Sequence, residues 1–201
     1  MASKTDVCNM ALSHLGISKE IANVDTERSQ EANACRRFYD TARQAVLKDY
    51  SWPFTSKFFA LNLIEENPND EWVYSYRYPN DCLYVRRILS GFREDTEATK
   101  IVYKIAQDDT GFLIYTDKEN AEIEYTVDFE NEDLFPSDFI LALSFRLAAY
   151  IAPRITAGDP FKLGDKAYQA YMLEVSRASA NAFNEDKNTT PRDTESIAAR
   201  G

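Results

Sequence analysis

The stretch of residues 50–84 constrains the fold most, because it joins a helical pattern to an extended one. It holds both tryptophans and ten of the 26 aromatic residues of the chain. Trp52-Pro53 ends the helical pattern, since proline lacks a backbone N–H and pushes the preceding residue out of helical conformation. Large aromatic side chains bury much area each. We therefore predict that this stretch is a structural hinge whose side chains form a shared core.

Alternating aromatic residues within this stretch predict a strand. Trp72, Tyr74, Tyr76 and Tyr78 stand at every second position, which places them on one face of a strand. Pro79-Asn80-Asp81 has turn chemistry, and a further extended run follows it. The predicted hinge residues are Trp52, Pro53, Phe54, Trp72, Tyr74, Tyr76, Tyr78 and Pro79.

Helical periodicity predicts two helices before the extended part and two after it. They cover residues 5–15, about 29–50, 136–155, and from Asp159 to about 183. Pro136 suits the first turn of the third helix, and Pro153 with Gly158 closes that helix. In the fourth helix we expect six side chains to point inward, namely Ala167, Tyr168, Tyr171, Met172, Val175 and Ala178.

The extended part, residues 54–129, predicts a series of strands. The first comprises Phe58, Ala60 and 61–64 and ends before a polar break at 65–70. Further strands fit residues 72–78, 82–89, 100–106, 112–116 and 121–129. Alternation is clearest in the last, where Ile123 and Tyr125 face one way and Glu124 and Thr126 the other.

These elements predict an α+β fold: a helical bundle from the N- and C-terminal helices with an inserted antiparallel β domain. The predicted bundle comprises residues 1–53 and 136–186, and the β insertion comprises 54–135. Residues 187–201, which have a disorder-like composition, are predicted to form an extended C-terminal tail. The tail residues that are candidates for docking a partner are Thr189, Pro191, Arg192, Ile197 and Arg200.

Charge is distributed unevenly along the chain. The net charge is −10, and residues 51–134 carry eight basic and 18 acidic residues, so the acidity lies on the β insertion. This argues against a protein that binds nucleic acid or an anionic membrane by neutralising phosphates. The chain has no run of 18 apolar residues and no apolar signal core at its N-terminus. We expect a soluble protein from a cytoplasm-like setting, without a membrane partner.

Motifs for covalent or cofactor chemistry do not occur in the sequence. It has no phosphate loop, dinucleotide fingerprint, nucleophile elbow or zinc-protease motif. The only histidine, His14, has no recognisable serine or cysteine partner, and we interpret it as a packed or capping residue. Cys8, Cys35 and Cys82 are interpreted as reduced and buried. We predict no cofactor, no metal and no catalytic residue.

Acidic residues of the β insertion keep one enzymatic alternative open. A pair of carboxylates can hydrolyse a glycosidic bond, and a solvated acidic face is the simpler interpretation. The candidates for such a pair are Asp108, Asp109, Asp128, Glu130, Glu132 and Asp133. The alternating aromatics can stack on sugars or bases, or they form a core or a subunit interface. The pairs Arg36-Arg37 and Arg86-Arg87 are interpreted as salt-bridge partners rather than DNA contacts.

The order of several motifs resembles the tail tubular protein A family, the head-to-tail adaptors of short-tailed phages. The resemblance in motifs covers residues 7–90. The rest of the chain resembles the family only in its length and in the helix–β–helix order of its elements. The motifs are packing motifs, so they indicate a family without marking a site. They read Asn9-Met10-Ala11-Leu12-Ser13-His14-Leu15-Gly16, Cys35-x-x-Phe38-Tyr39-Asp40-x-x-Arg43, Tyr50-Ser51-Trp52-Pro53-Phe54 and Trp72-x-Tyr74-x-Tyr76-x-Tyr78-Pro79.

This resemblance implies a structural protein of the virion neck, assembled in the host cytoplasm, and not an enzyme. It implies a ring of twelve copies between the portal protein and the tail nozzle protein, with double-stranded DNA passing through the lumen without specific binding. An acidic lumen would repel the phosphates of that DNA. Two alternatives stay open: a virion-associated cell-wall or polysaccharide hydrolase that uses carboxylates of the β insertion, and a different neck or tail module.

Overall fold

The computed structural model describes residues 2–92 and 95–186 and confirms the predicted α+β fold class. The helices are α1 (Lys4–His14), α2 (Gln30–Asp49), α3 (Ser137–Ile155) and α4 (Leu163–Asp186). The strands are β1 (Ser56–Ala60), β2 (Leu63–Asn69), β3 (Trp72–Arg77), β4 (Cys82–Ile88), β5 (Tyr103–Asp108), β6 (Gly111–Thr116) and β7 (Glu122–Val127). Among the described helices, none is both long and apolar enough to cross a bilayer.

Side chains next to the helix ends explain where α1 and α4 begin. The Ser3 hydroxyl accepts the Asp6 N–H at 3.2 Å, and the Asp6 carboxylate accepts the Ser3 N–H at 2.8 Å. This reciprocal capping box fixes the start of α1. Asp159 was predicted to open α4, but its carboxylate instead accepts the N–H groups of Leu163 and Gly164 at 2.6 and 2.8 Å. Helix α4 therefore begins at Leu163.

Helix α3 contacts both α1 and α4, and most of its length is buried. It ends at Ile155, as predicted, and Pro153 lies in its last turn, where the Thr156 N–H still bonds to the Ala152 carbonyl. A proline in the last turn removes one hydrogen bond without breaking the helix before it. Helix α4 approaches α3 closely at Gly164, where an added Cβ would lie 3.1 Å from the Ala152 Cβ.

The inward face of α4 is narrower than the periodicity predicted. Ala167, Tyr171 and Ala178 are buried, whereas Tyr168 and Met172 are exposed. Among the described helices, α4 packs mainly on α3, so only one stripe of its surface is covered. The apolar positions that flank this stripe face solvent.

The chain divides into two compact units. The helical unit combines residues up to Ala42 with residues from Glu132 onward, and the β unit spans Arg43–Asn131. These divisions lie earlier in the chain than the predicted boundaries at 53 and 135, and the first of them falls within α2.

The β unit contains two antiparallel sheets. Sheet A has the order β1-β7-β4 and sheet B the order β2-β3-β6-β5. The chain crosses from sheet A to sheet B after β1, since the Leu61 N–H bonds to Ala121 and the Asn62 carbonyl accepts the Arg77 N–H. Both sheets contribute to one core of Leu61, Tyr76, Val85, Ile88, Ile114, Ala121, Ile123 and Tyr125.

Strand β2 corrects the prediction of a polar break at 65–70. It runs from Leu63 through Asn69 and pairs with β3 across a short turn at Asp70 and Glu71. Strand β2 lies at the edge of sheet B and is exposed along its length, so it needs no alternating apolar residues. Pro68 and the positive φ of Asn67 are tolerated for the same reason.

Candidate functional site

The first group of predicted hinge residues forms a cluster around the buried Trp52 at the end of α2. The Trp52 indole N–H donates to the Val46 carbonyl at 2.8 Å, and its ring meets Tyr50 edge-on at 5.0 Å. Pro53 and Phe54 lie in a 3-10 turn, where Phe54 packs edge-on against Phe129 at 5.5 Å. This cluster belongs to the β unit.

The second group of hinge residues lies on and after β3. Tyr76 is buried in the core and donates its hydroxyl to the Lys118 carbonyl at 2.9 Å. Tyr74 and Tyr78 pack against the same core, as the alternation predicted. The Trp72 indole N–H has no partner among the described groups. The eight predicted residues thus form separate clusters within one unit, and their role as a hinge stays a prediction.

Arg86 connects the first cluster to sheet A. Its guanidinium donates to the Trp52 carbonyl at 2.7 Å, to Thr126 Oγ1 at 3.0 Å and to Glu124 at 3.3 Å. Arg87 binds the other oxygen of Glu124 at 2.8 Å. Burial lowers the pKa of Arg86. The prediction that Arg86-Arg87 form salt bridges is confirmed, and the network engages Glu124 and Thr126 on the polar face of β7.

Arg36 was predicted to form a salt bridge, but it donates hydrogen bonds to backbone carbonyls instead. Its guanidinium donates to the carbonyls of Val24, Asp25 and Glu27, at 2.6, 2.8 and 3.3 Å. The connector between α1 and α2 has few backbone partners of its own, and a planar guanidinium satisfies several of its carbonyls at once. Arg36 therefore fixes a loop of the helical unit.

The candidate catalytic carboxylates of the β unit are held by cations. Asp128 accepts from Arg43 at 2.5 Å and from Gln44 at 2.8 Å. Arg77 binds Asp108 with both terminal nitrogens, at 3.0 and 2.8 Å, and holds the pKa of that carboxyl well below its usual range. A general acid needs a raised pKa, so Asp108 is poorly suited to that role.

The remaining carboxylate candidates are dispersed. Glu130 lies 3.5 Å from Arg43 and is mostly exposed. Asp109 is exposed in the β5–β6 turn, and Glu132 and Asp133 form a 3-10 turn that belongs to the helical unit. Asp108 and Asp128 therefore do not form the purely solvated acidic face of the simpler interpretation, because each is paired with an arginine.

His14 has a serine partner that the sequence did not reveal. Its Nε2 lies 3.0 Å from the Ser144 hydroxyl, which itself donates to the Leu141 carbonyl at 2.7 Å. His14 therefore donates to Ser144, and its ring stacks on Phe145 at 3.8 Å. Ser144 is fully buried and no substrate reaches it. Burial lowers the pKa of His14, and its interpretation as a packed residue is confirmed.

The cysteines of the described chain are free, and Cys8 and Cys35 are buried as predicted, whereas Cys82 is only half-buried, contrary to the prediction. No group of three or more His, Cys, Asp or Glu among the described residues is arranged to hold a metal ion. The tail candidates Thr189, Pro191, Arg192, Ile197 and Arg200 lie outside the described residues.

A cavity of about 510 Å³ opens in the β unit between the β3–β4 turn and the β5–β6 hairpin. The rings of Tyr78 and Phe112 form part of its wall, with centroids 5.9 Å apart in an edge-to-face arrangement. Ile105, Cys82 and Lys48 also line it. Burial raises the pKa of the Cys82 thiol to about 11. The cavity thus offers aromatic and apolar walls with two cations, the Lys48 ammonium and the Arg77 guanidinium.

Large apolar side chains are exposed on each unit. In the β unit, Phe112 is 55% and Ile105 47% exposed at the mouth of this cavity. In the helical unit, Phe161 is 73% exposed before α4, and Tyr168, Met172 and Leu173 are exposed on that helix. Sequence reasoning missed Phe161, Phe112 and Ile105, because Phe161 lies in a loop without a periodic signal, and residue spacing along β5 and β6 does not show which side chains stay uncovered. Exposed apolar patches mark interaction sites.

Comparison with known proteins finds no family model and no curated protein that match this chain. The resemblance to tail tubular protein A therefore rests on the motifs of the sequence alone.

Proposed function

We propose that this chain is a structural subunit of a phage neck, a head-to-tail adaptor that forms a ring between the portal and the tail nozzle. The ring would form part of the channel through which DNA is ejected. The observation that carries the proposal is that each unit exposes large apolar side chains, Phe112 and Ile105 in one and Phe161 and Met172 in the other. A cyclic ring requires two different lateral faces on every subunit.

The pairing of candidate carboxylates with arginines supports a role that is not enzymatic. Asp108 and Asp128 are paired with Arg77 and Arg43. The buried serine beside His14 is closed to substrates. Of the carboxylates that sequence reasoning offered for catalysis, Asp108 and Asp128 are thus engaged in contacts that hold the fold together.

The charge of the β unit supports a conduit for DNA. Residues 43–131 carry ten Lys and Arg against 17 Asp and Glu, a net charge of −7. Such a surface repels phosphates, so DNA would pass without being retained. We expect no measurable binding of double-stranded DNA even at low salt.

The test is the mass of the purified chain by light scattering, alone and mixed with the portal protein of the same particle. We expect a monomer of 23.0 kDa alone and a ring of about twelve copies on the portal. The number of subunits in the ring can be counted in end-on electron micrographs of the complex. If the chain does not bind the portal protein at any concentration, the proposal is contradicted. Hydrolysis of cell wall or polysaccharide that is lost in Asp128→Asn would favour the hydrolase alternative.

The tail provides a second test. Removal of residues 187–201 should leave a folded chain that fails to join the portal, because these residues are proposed to dock there. Normal incorporation of the truncated chain would contradict that role. Circular dichroism of the truncated chain controls for folding.

A further inference from the structure

The two cations that line the cavity of the β unit differ in how they are used. Arg77 donates both terminal nitrogens to Asp108. The Lys48 ammonium, in contrast, forms no ion pair among the described residues. None of the described residues that line the cavity is acidic. Lys48 is therefore available to an anionic group that enters the cavity.

The same cavity offers apolar surface at its mouth, where Ile105 and Phe112 are exposed. Gln107 lies opposite Phe112 in the β5–β6 register, and Ile105 is two positions from Gln107, so Ile105 and Phe112 share one face of sheet B. The volume of about 510 Å³ exceeds the roughly 150 Å³ of a cavity that holds benzene. An aliphatic side chain can therefore lie against the outward surfaces of these two residues, without separating the rings of Tyr78 and Phe112.

The ligand that suits this cavity has a carboxylate next to an aliphatic side chain. The carboxylate would pair with Lys48, and partial removal from water strengthens such a pair. The aliphatic group would cover Phe112 and Ile105 and remove apolar surface from water. The net charge of −7 over residues 43–131 does not prevent this, because exposed charges more than about 8 Å apart are largely screened at physiological salt.

The turn Glu132–Leu134 of the helical unit has this chemistry. Leu134 is 62% exposed, and it directly follows Glu132 and Asp133. The sequence contains no lysine or arginine between Lys118 and Arg146, so no neighbour along the chain offsets the two acids. The turn thus presents an aliphatic side chain beside carboxylates.

Contacts within the helical unit hold this turn in place. The Phe135 N–H bonds to the Glu132 carbonyl at 3.1 Å. The Phe135 ring is buried and packs edge-on against Phe139, with the ring centroids 4.7 Å apart. Because the turn is ordered before binding, presenting Leu134 to a partner costs little conformational entropy.

Other exposed apolar side chains of the described residues suit the cavity less well. Phe161 lies next to an exposed lysine, which Lys48 would repel. Leu173 precedes Glu174, but an arginine of the same helix already binds that carboxylate. Ile64 lies in β2, whose backbone is paired with β3 and cannot extend into a cavity as a turn can. Charge and shape therefore favour the turn Glu132–Leu134 as the occupant.

We propose that the turn Glu132–Leu134 of one copy docks in the cavity of the next copy, with Leu134 against Phe112 and the Glu132 carboxylate on Lys48. The turn and the cavity are different surfaces, so each copy supplies one and receives one. Such a heterologous contact closes into a ring when the rotation between copies permits. This inference rests on the proposed function, since it names the lateral contact of the proposed ring.

Chemical cross-linking between two variants tests the contact directly. One variant carries Asp133→Cys, which leaves Glu132 and Leu134 in place, and the other carries Asn80→Cys at the exposed rim of the cavity. The two are treated with a short bismaleimide at neutral pH and about 0.1 mM, where the yield of a contact of millimolar affinity is proportional to that affinity. The native cysteines react slowly, because two are buried and the raised pKa of Cys82 keeps its thiol protonated. Each variant alone gives the background yield.

We expect a yield of cross-linked dimer well above background in the mixture. Adding Lys48→Glu to the Asn80→Cys variant should lower the yield about tenfold, because an attraction becomes a repulsion. The matched control is Lys100→Glu, the same change at an exposed lysine that does not line the cavity, and it should leave the yield unchanged. Adding Glu132→Lys to the Asp133→Cys variant should restore the yield with the Lys48→Glu partner, which a merely structural defect would not allow.

Two control positions for the cysteine identify other occupants. Met172→Cys lies beside the exposed Leu173, and Glu65→Cys lies beside the exposed Ile64. A yield for Asp133→Cys no greater than that for Met172→Cys overturns the proposal. A greater yield for Glu65→Cys also overturns it and assigns the cavity to β2. Circular dichroism checks that each variant is folded, and Leu134→Cys replaces Asp133→Cys if the latter does not fold.

Assembly on the portal separates this inference from the proposed function. Lys48→Glu should raise the concentration for half-assembly by about tenfold or more, and Glu132→Lys in the same chain should restore it. A normal ring for Lys48→Glu and for Leu134→Asp would leave the adaptor role intact and overturn the contact. A specific cross-link without a ring of the parent chain would keep the contact and contradict the adaptor role.

Discussion

Arg77 and Asp108 form a two-pronged ion pair that joins β3 to the end of β5 across β6. The two nitrogen–oxygen distances are 3.0 and 2.8 Å. Asp108 also accepts the N–H groups of Thr110 and Gly111, each at 2.8 Å. One carboxylate thereby fixes both the hairpin turn and the strand two positions away in sheet B. Its partner Arg77 also lines the cavity of the β unit.

Asp108→Asn should destabilise the chain and change its response to acid. Because Arg77 holds the folded pKa of Asp108 below its unfolded value, the pair stabilises the fold above the ordinary carboxyl pKa of about 4. That stability is lost as the pH falls toward the folded pKa. Thermal unfolding between pH 2 and 7 should therefore show a smaller acid-induced decrease in the midpoint for the variant. An unchanged slope in the variant would show that other carboxyls control acid unfolding.

Trp52→Phe should lower the free energy of unfolding by about 1–3 kcal/mol, because it leaves the buried Val46 carbonyl without its donor and opens a small cavity. Trp72→Phe is the matched control. The Trp72 indole N–H has no partner among the described residues, so its loss should cost less than about 1 kcal/mol. Urea unfolding followed by circular dichroism measures both. Equal effects would contradict the assigned role of the Trp52 hydrogen bond.

Arg86→Met should destabilise the chain by about 3–5 kcal/mol, because removing Arg86 leaves buried polar groups without a hydrogen-bond partner. The Arg86 side chain is only 11% exposed, and it contacts the Trp52 carbonyl and Thr126. The control is Arg177→Met, which breaks an exposed pair with Glu174 and should cost less than about 1 kcal/mol. Chemical denaturation compares the two variants. If the costs are similar, the Arg86 network does not stabilise the β unit.

His14 should make stability depend on pH near neutrality. Burial lowers its folded pKa below the unfolded value, so the fold is most stable with a neutral imidazole. Stability is fully present above the unfolded pKa of about 6.5 and decreases as the pH falls through it. His14 is the only histidine of the chain. His14→Gln should therefore reduce the change of the thermal midpoint with pH between pH 5 and 8. A slope that persists in the variant would assign the effect elsewhere.

The sequence alone determined the helices and most strands, because their signals are local. The periodicity of α2 and the alternation of β7 follow from which side chains face a core, whereas the Ser3 cap of α1 was not predicted. The aromatic alternation at Trp72–Tyr78 correctly predicted a strand. Turn residues such as Asp108 and Gly111 correctly separated β5 from β6.

Only the tertiary structure decided which polar groups meet. Ser144 lies 130 positions from His14 along the chain, and Glu124 lies 38 positions from Arg86. A contact between distant residues leaves no periodic trace in a single sequence. Most of strand β2, after residue 64, was missed because an exposed edge strand is held by backbone hydrogen bonds, which any side chain permits. The cavity beside Tyr78 arises where a turn and a hairpin converge, and the exposure of Phe161 depends on backbone geometry. These features depend on distances in space, which residue spacing along the chain does not specify.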